Sequence, residues 1–428
     1  MTTTAPPPRQ TPDEQPERGG LIARVSLGRA FRPVASEFLL IASAALLLTG
    51  FGLVMVLSAT SALDGGQSPF DHVIKQGVFA VVGIPLMFVL SRARMSFWKK
   101  IAWPALIFAT LFQLLVYVPG LGIASYGNRN WVQIAGFQFQ PAEFLKLALA
   151  LWMGAVLFRK RRLLTSWKHV FIPVVPVAVL VIGTVLGGKD LGTVMILVLV
   201  VLGALFFAGI KLRMFIVPAA LSLVVVLLSA VGSENRMARI ASLFDPDDAS
   251  CYYTSCYQSL HGIWGLASGG LLGLGLGNSK EKYDWLPAAA NDYIFAIIGE
   301  ELGLVGCVVV LVLFAVFAVG AFRIIRRTDD SFVRIVAGAI TLWIVGQALV
   351  NIGVVLRIFP VLGVPLPFMS QGGTSLLSVL IACGVLLSCA RTLPDRRDDA
   401  DTPPRAHRRA GAGAARRQGP SGLIAAAT

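Results

Sequence analysis

Charged residues are scarce in this sequence, and their scarcity excludes an ordinary soluble protein. Only 14% of the 428 residues are Asp, Glu, Lys or Arg, whereas 56% are hydrophobic, and the mean hydropathy is +0.74. A soluble domain carries much more polar surface than this composition supplies. The first twenty residues also lack an apolar core, so we expect no cleavable signal peptide. The composition indicates a helical protein with many membrane spans.

Long apolar runs recur at the length that a bilayer requires of a helix, about 20 residues. The sequence predicts an all-α fold, a bundle of ten transmembrane helices. Their expected ranges are about 37–59, 73–91, 101–118, 141–158, 169–187, 191–209, 213–232, 292–320, 332–356 and 374–390.

Three regions follow from this pattern of spans. Residues 1–34 form an N-terminal arm, residues 35–391 a ten-helix membrane domain, and residues 392–428 a tail. The arm and the tail are rich in Pro, Gly, Ala and Arg, and we expect both to be disordered. The longest loop of the membrane domain, 233–291, connects the seventh span to the eighth.

Lys and Arg are concentrated in alternate loops, and the loops between them contain few. Under the positive-inside rule the basic loops are cytoplasmic, which places both termini inside and loop 233–291 outside. The net charge of +14 therefore reflects topology. No folded basic face suggests a nucleic-acid partner.

The five cysteines fall into two groups. Cys251 and Cys256 lie in the long outer loop, five residues apart in an oxidising compartment, which favours a disulfide over two free thiols. The other three lie in apolar spans, where the simplest interpretation is a small core residue.

Costly polar residues gather at the outer face, where we expect the chemistry. The candidates are Arg129, Trp131, Glu143, Lys146, Asp190, Asp292, Ser370 and Ser375. Several have a plainer alternative. Arg129 and Trp131 suit interface anchors, Glu143 and Lys146 suit an i,i+3 ion pair, and Asp190 suits a helix cap.

Two further motifs favour structural roles. The glycine-rich segment 269–279 lacks the preceding strand and the Lys-Ser/Thr ending of a phosphate-binding loop, so we expect it to pack backbone closely. Glu300 and Glu301 point about 100° apart on a helix, so both cannot face lipid. We expect them to support the bundle through hydrogen bonds.

Several motifs together resemble the SEDS family of peptidoglycan polymerases, which includes FtsW and RodA. They are Gln-Pro-Ala-Glu at 140–143, Asp-Leu-Gly-Thr at 190–193, the glycine-rich run, Leu286-Pro287 before Asp292, Gly-Glu-Glu-Leu-Gly at 299–303, and Ser-Gln-Gly-Gly at 370–373. They occur in the family's order over about 37–391. The segment 51–62 is more similar to FtsW than to RodA.

The resemblance implies a glycosyltransferase that polymerises lipid II at the outer membrane face during division, with inversion at the anomeric carbon. It implies that Asp292 is the catalytic base and that the other candidates line the substrate site. Arg129, Lys146, Arg357 or a divalent cation (Mg²⁺ or Mn²⁺) would assist the departing pyrophosphate. Implied partners are a class B penicillin-binding protein, other divisome proteins and membrane lipid at the septum.

One departure from the family pattern bears on the site. The Glu-Ala-His-Thr that precedes the family aspartate is Ala288-Ala289-Ala290-Asn291 here. Asp292 is therefore the one acid of this motif that remains to act as a base.

Three other functions remain open from the sequence. A lipid II flippase would also contain charges within the membrane, but it should show inverted repeats and gates at both faces. A non-catalytic division scaffold would leave the acids at one face unexplained. An elongation polymerase of the RodA type would share the chemistry.

Overall fold

The structure, a computed structural model, describes residues 35–61, 69–125, 128–134, 136–232, 234–244 and 251–394. The predicted N-terminal arm, 1–34, lies outside the described residues, and so does the tail beyond residue 394. The predictions of disorder for these two regions therefore remain predictions.

Twelve α-helices make up most of the described chain. They are α1 (Ser36–Thr60), α2 (Pro69–Leu90), α3 (Met95–Leu114), α4 (Pro141–Arg159), α5 (Trp167–Leu186), α6 (Leu191–Phe207), α7 (Leu212–Val231), α8 (Glu234–Phe244), α9 (Tyr257–Gly269), α10 (Ile294–Arg327), α11 (Ser331–Val355) and α12 (Gly373–Ala390).

The helical membrane fold is confirmed, and its helices follow the predicted apolar runs. Eight described helices are long and apolar enough to cross a membrane. Helices α6 and α7 are also apolar, but their apolar stretches, Leu191–Phe207 and Leu212–Leu228, are shorter. The count of ten spans therefore remains a prediction. Helix α10 has 34 residues and continues past the predicted end at 320. Its last turn carries Arg326 and Arg327, and these charged residues lie beyond the apolar run from which the span was predicted.

A small antiparallel sheet lies in the segment that we predicted as a loop after the third span. Its strands are β1 (Gly122–Ser125), β2 (Asn128–Ile134) and β3 (Phe137–Phe139), in that order. Trp131 is paired with Ile123 and Val132 with Phe139. Gly136 has a φ of 83°, the left-handed conformation that a tight turn between β2 and β3 requires. The sheet adds to the all-α bundle without changing its class.

Two helices occupy the region that we predicted as one outer loop, 233–291. The amphipathic helix α8 begins it, and α9 follows the disulfide between Cys251 and Cys256, whose Cα atoms are 5.1 Å apart. Both helices are short and contain polar residues, so neither resembles the long apolar runs from which the spans were predicted.

The glycine-rich segment packs its backbone against the start of α10. A Cβ atom at Gly273 would collide with the backbone of Glu301. The N–H groups of Leu274 and Gly275 donate to the carbonyl oxygens of Glu300 and Glu301, each at 2.9 Å. Helix α10 is interrupted at the non-helical Gly303. The carbonyl oxygens of Glu300 and Glu301 can therefore accept hydrogen bonds from the glycine-rich segment. The predicted close packing is confirmed.

Glu300 and Glu301 hold the same segment through their side chains. The Lys282 ammonium is 3.3 Å from Glu301 Oε1 and donates to the Gly277 carbonyl oxygen at 2.6 Å. Ser58 Oγ donates to the other oxygen of Glu301, and the Lys280 N–H donates to Glu300 Oε1 at 2.8 Å. Both acids are buried, and both have the supporting role that we predicted.

A salt bridge and a cation–ring contact, both made by Lys99, identify the end of the bundle at which the basic loops meet. Lys99, early in α3, is 2.8 Å from Asp330, in the connection between α10 and α11. Its ammonium also lies over the ring of Phe158, near the end of α4, at 4.0 Å. We call this the basic end. The start of α10 and Asp292 lie at the opposite end of that helix.

A pair of glycine substitutions tests the close packing. Gly273 and Gly277 have nearly equal φ values, 81° and 83°, but only a Cβ at Gly273 meets the α10 backbone. Alanine in this conformation costs about 1–2 kcal/mol at either position. We therefore expect Gly273→Ala to lower the thermal unfolding temperature in detergent clearly more than Gly277→Ala does. Equal shifts would contradict the packing.

Candidate functional site

Asp292 lies in a turn immediately before α10 and is held there by contacts with distant segments. The turn contains Ala288 at φ 54°, and the Asn291 N–H closes it on the Ala288 carbonyl oxygen at 2.9 Å. Asn351 of α11 donates to the Asp292 carbonyl oxygen at 2.7 Å. Ser370 Oγ donates to the Asn291 carbonyl oxygen at 2.6 Å. These hydrogen bonds fix the backbone at Asp292.

The Asp292 carboxylate accepts no hydrogen bond from the residues that the structure describes. The loop between α11 and α12 passes directly beside it, since a Cβ at Gly363 would lie 3.6 Å from Oδ2. Burial is the main cause that raises the pKa of Asp292 to about 6; the nearby charge of Asp190 acts in the same direction, and Arg239 opposes both. Solvent still reaches part of the side chain. A partly desolvated, unpartnered carboxylate is suited to accept a proton.

Asp190 is the opposite case, because its carboxylate is saturated with hydrogen bonds. It caps α6 by accepting from the N–H of Thr193 at 2.9 Å and from the Thr193 hydroxyl. The side chains of Asn130 and Gln140 also donate to it, at 3.2 and 3.3 Å. The structure shows the helix cap for Asp190, and a role in substrate binding remains a prediction. Its charge nonetheless acts on Asp292.

Close packing brings Asp190 to the same loop that contacts Asp292. A Cβ at Gly192 would collide with the Leu362 carbonyl oxygen, so the start of α6 lies against residues 361–364. Asn351 donates a second hydrogen bond, to the Val364 carbonyl oxygen at 2.8 Å. The structure thus brings Asp190, Asp292 and Ser370 together around one loop.

Arg129 and Trp131 lie on β2, next to this group. The Arg129 side chain is exposed, and Trp131 is half-buried. The Arg129 N–H donates to the Gly188 carbonyl oxygen at 2.9 Å, which joins the sheet to the connection before α6. Between them, Asn130 points inward to Asp190. Asn130 was not among the predicted site residues, and the alternation of side chains along a strand is the signal that would have separated it from its neighbours.

Glu143 and Lys146 pair inside the bundle, where the Lys146 ammonium is 2.8 Å from Glu143 Oε1. The same ammonium donates to Gln347 Oε1 at 2.8 Å and lies over the Trp343 ring at 5.0 Å. Both side chains are 1% exposed. The i,i+3 alternative is therefore what the structure shows, and a role in substrate binding remains a prediction.

The buried pair is connected to the loop at Asp292. Gln347 donates through Nε2 to the Pro365 carbonyl oxygen at 2.8 Å. Ser378 donates to Glu143 Oε2 at 3.2 Å and to the carbonyl oxygen of the buried Ser375 at 2.9 Å. Helices α4, α11 and α12 are joined in this way. The pair can position the loop without touching a substrate.

Two arginines of α8 lie beside the candidate site and were not among the predicted site residues. Arg236 donates to the Lys189 carbonyl oxygen at 2.6 Å, next to Asp190. Arg239 donates to the Val361 carbonyl oxygen at 3.3 Å and acts electrostatically on Asp292. Arg357 donates a hydrogen bond to the carbonyl oxygen of Ser242, in the same helix, at 3.0 Å. The i,i+3 spacing of the two arginines on a short amphipathic segment was the available signal.

No described residues form a cluster of three or more His, Cys, Asp or Glu side chains that could hold a metal ion. Arg239 is the cation whose charge acts on Asp292.

A protein-family model described as "Cell cycle protein", for FtsW, RodA and SpoVE, matches residues 38–394. The chain belongs to the FtsW/RodA/SpoVE family. The match covers the described membrane bundle from α1 to the end of α12, and it confirms the resemblance on which the site predictions depend.

Curated relatives place the chain close to the FtsW members of the family. It is 38% identical over 390 residues, 90% of this chain, to a protein of Mycobacterium tuberculosis named "Probable peptidoglycan glycosyltransferase FtsW", of which the match covers 74%. It is 33% identical to "Stage V sporulation protein E" of Bacillus subtilis, with 83% of this chain and 97% of the relative covered.

Solved structures share the fold. Rod shape determining protein RodA of Thermus thermophilus matches with a TM-score of 0.61 and 24% identity, over 83% of this chain and 97% of its own. A chain from a structure described as "Structural coordination of polymerization and crosslinking by a peptidoglycan synthase complex" matches with a TM-score of 0.67 and 22% identity, over 84% and 98%.

The buried pair gives a stability test. Lys146→Met leaves the Glu143 carboxylate without its cation in the interior, which we expect to cost about 3–5 kcal/mol. The double variant Glu143→Gln, Lys146→Met removes the stranded charge and should recover much of this loss in thermal unfolding. A double variant that is less stable than the single variant would show that the pair is not the main determinant of stability there.

Proposed function

We propose that this chain is a peptidoglycan glycosyltransferase that polymerises lipid II at the outer face of the cytoplasmic membrane, in septal synthesis during division. The observation that carries the proposal is the unpartnered carboxylate of Asp292. Among the residues that the structure describes, nothing donates a hydrogen bond to it, and it lies at one end of a helical membrane bundle. Relatives of the chain are named "Probable peptidoglycan glycosyltransferase FtsW".

The proposed step forms one glycosidic bond and breaks one bond to phosphate. The 4-hydroxyl oxygen of the acceptor sugar attacks the anomeric carbon of the donor, and the hydroxyl proton passes to Asp292. The bond from the anomeric carbon to the pyrophosphate oxygen breaks, and undecaprenyl pyrophosphate leaves with that electron pair. Attack opposite an α-linked pyrophosphate inverts the carbon and gives a β-linkage. The substrate is already activated, so no nucleotide is needed outside the membrane.

The electrostatic state of Asp292 suits this proton transfer. An ordinary aspartate is a weak base, because its pKa of 3.8 lies far below neutral pH. With a pKa of about 6, Asp292 remains mostly deprotonated at pH 7 and is a stronger base. Efficient general bases have pKa values near the working pH.

The departing pyrophosphate needs positive charge, and the geometry supports Arg239 most directly. Its charge acts on Asp292, and α8 holds it beside the loop at Val361. Arg357 lies near the same helix. Lys146, which the resemblance suggested, is occupied inside the bundle by Glu143 and Gln347. Preorganised cations of this kind stabilise developing negative charge.

The finer parts of the proposal have separate support. The positive-inside rule supports the outer location of Asp292 and cytoplasmic termini. One structural neighbour belongs to a peptidoglycan synthase complex that coordinates polymerisation with crosslinking, which supports a class B penicillin-binding protein as partner, together with other divisome proteins. The 38% identity to FtsW favours division over elongation. None of the steps above requires a divalent cation.

Asp292→Asn should abolish polymerisation of purified lipid II by the protein reconstituted with its transpeptidase partner. Asn keeps the shape of the side chain but accepts no proton. In the unaltered protein, activity should fall as the pH is lowered through about 6, where Asp292 becomes protonated. Asp284→Asn is the matched control, since Asp284 is an exposed acid outside the site, and it should keep normal activity.

Asp292→Asn should also be at least as thermally stable as the unaltered protein at pH 7. The folded state raises the pKa of Asp292, so its ionisation costs folding free energy as the pH rises from about 4 to above 6. Asn avoids that cost. Polymer yields from Asp292→Asn equal to those of Asp284→Asn would remove Asp292 as the base. Lipid II transport without polymer formation would favour a flippase.

Arg239→Gln should slow polymerisation by at least about tenfold and move the acidic limb of the pH profile upward. The second effect is expected because the Arg239 charge lowers the pKa of Asp292. Lys280→Gln removes an exposed cation of the same outer segment and should change neither quantity. A rate loss with an unmoved pH profile would show that Arg239 does not act next to Asp292.

A further inference from the structure

A groove of about 520 Å³ lies at the basic end of the bundle, where α2 ends and α3 begins. Its lining residues are Val89, Leu90, Arg92, Ala93, Arg94, Ser96, Phe97 and Lys100. The neighbouring Lys99 is paired with Asp330 after α10, so the groove and the Asp292 site lie at opposite ends of that helix. The chemistry proposed for Asp292 does not use this groove.

Three cations in the groove have no partner among the residues that the structure describes. The side chains of Arg92, Arg94 and Lys100 are exposed, and no acidic residue lines the groove. Lys99, by contrast, is neutralised by Asp330 and covered by the ring of Phe158. Three uncompensated positive charges around one concave space favour a ligand with a concentrated negative charge.

Apart from Ser96, the rest of the lining is apolar, and part of it faces outward. Val89 is 64% exposed and Phe97 is 44% exposed, and they flank the cations on α2 and α3. Apolar side chains on the outside of a membrane helix face lipid chains. A free phosphate or a nucleotide would leave this wall uncovered, whereas a phospholipid would occupy both the cationic and the apolar parts.

Hydrogen bonds to α12 anchor the connection between α2 and α3, which lines the groove. Trp98 Nε1 donates to Ser388 Oγ at 2.9 Å, and Ser388 Oγ donates to the Ala93 carbonyl oxygen at 3.2 Å. The connection between α2 and α3 is thereby fixed to the bundle. A preformed site requires little ordering when a ligand binds.

We propose that this groove binds the headgroup of an anionic glycerophospholipid. The lipid phosphate lies among Arg92, Arg94 and Lys100, the Ser96 hydroxyl donates to it, and one acyl chain runs along Val89 and Phe97. Basic pockets of this kind at the cytoplasmic side of membrane proteins suit anionic headgroups.

The test is binding of phosphatidylglycerol to the purified full-length protein in a non-ionic detergent, measured by native mass spectrometry. The variant Arg92→Gln, Arg94→Gln, Lys100→Gln should bind about 100-fold more weakly, since each cation contributes about fivefold. The matched control is Arg159→Gln, Arg162→Gln, Lys168→Gln. It removes three exposed cations near the same end, and it should bind within about twofold of the unaltered protein.

Two further measurements complete the test. Phe97→Ala leaves every charge in place and should weaken phosphatidylglycerol binding several-fold. Phosphatidylcholine and soluble glycerol phosphate should bind much more weakly than phosphatidylglycerol. Equal losses in the groove variant and the control would overturn the site in favour of general surface charge. Glycerol phosphate binding as tight as that of the lipid would overturn the lipid assignment.

Discussion

A charge inside an apolar bundle must have a partner, and this constraint organises the whole molecule. Isolated ions are very costly to bury, so buried charges occur in pairs or accept several hydrogen bonds. Lys146 and Glu143 obey the rule in the centre, Lys282 and Glu301 obey it under the glycine-rich segment, and Asp190 obeys it through its hydrogen bonds. Asp292 differs, because its carboxylate has no such partner among the described residues, and this difference marks it as the candidate base.

The satisfied groups do more than avoid a cost, because each of them fixes a segment near Asp292. The Lys146 network reaches Pro365 through Gln347, and Asp190 joins β2, α4 and α6. Glu300 and Glu301 hold the segment that leads into the turn before α10. Paired charges thus build a frame, and the Asp292 carboxylate, which has no partner among the described residues, lies at its edge, where we propose that the reaction occurs. A site of this design loses little free energy to rearrangement during the reaction.

The two ends of the bundle differ in their charge chemistry. At the Asp292 end, acids and arginines lie close together and counteract one another's effects, which tunes a proton acceptor. At the basic end, some cations are neutralised, as Lys99 is by Asp330, while those of the groove are not. The first arrangement suits a reaction, and the second suits retention of an anionic lipid. One helix, α10, spans the distance between them.

The regular apolar runs made the bundle helices predictable, since a helix that faces lipid needs little besides length and hydrophobicity. The same rule failed for the sheet, α8 and α9, because short polar elements depend on contacts that the sequence does not display. The site was predicted in part. Asp292, Asp190 and Ser370 do meet, but Lys146 lies in the interior, and Arg239 was not foreseen as a site residue.

The sequence by itself determined the membrane class, the alternation of basic loops and the family, because composition and local motifs carry that information. Only the tertiary structure decided which acid has no hydrogen-bond donor among the described residues. Asp190 and Asp292 look alike as acids at the starts of helices, and they differ because Asn130, Gln140 and Thr193 converge on one and not on the other. That convergence is long-range packing, which sets the hydrogen-bond partners and the burial of each carboxylate.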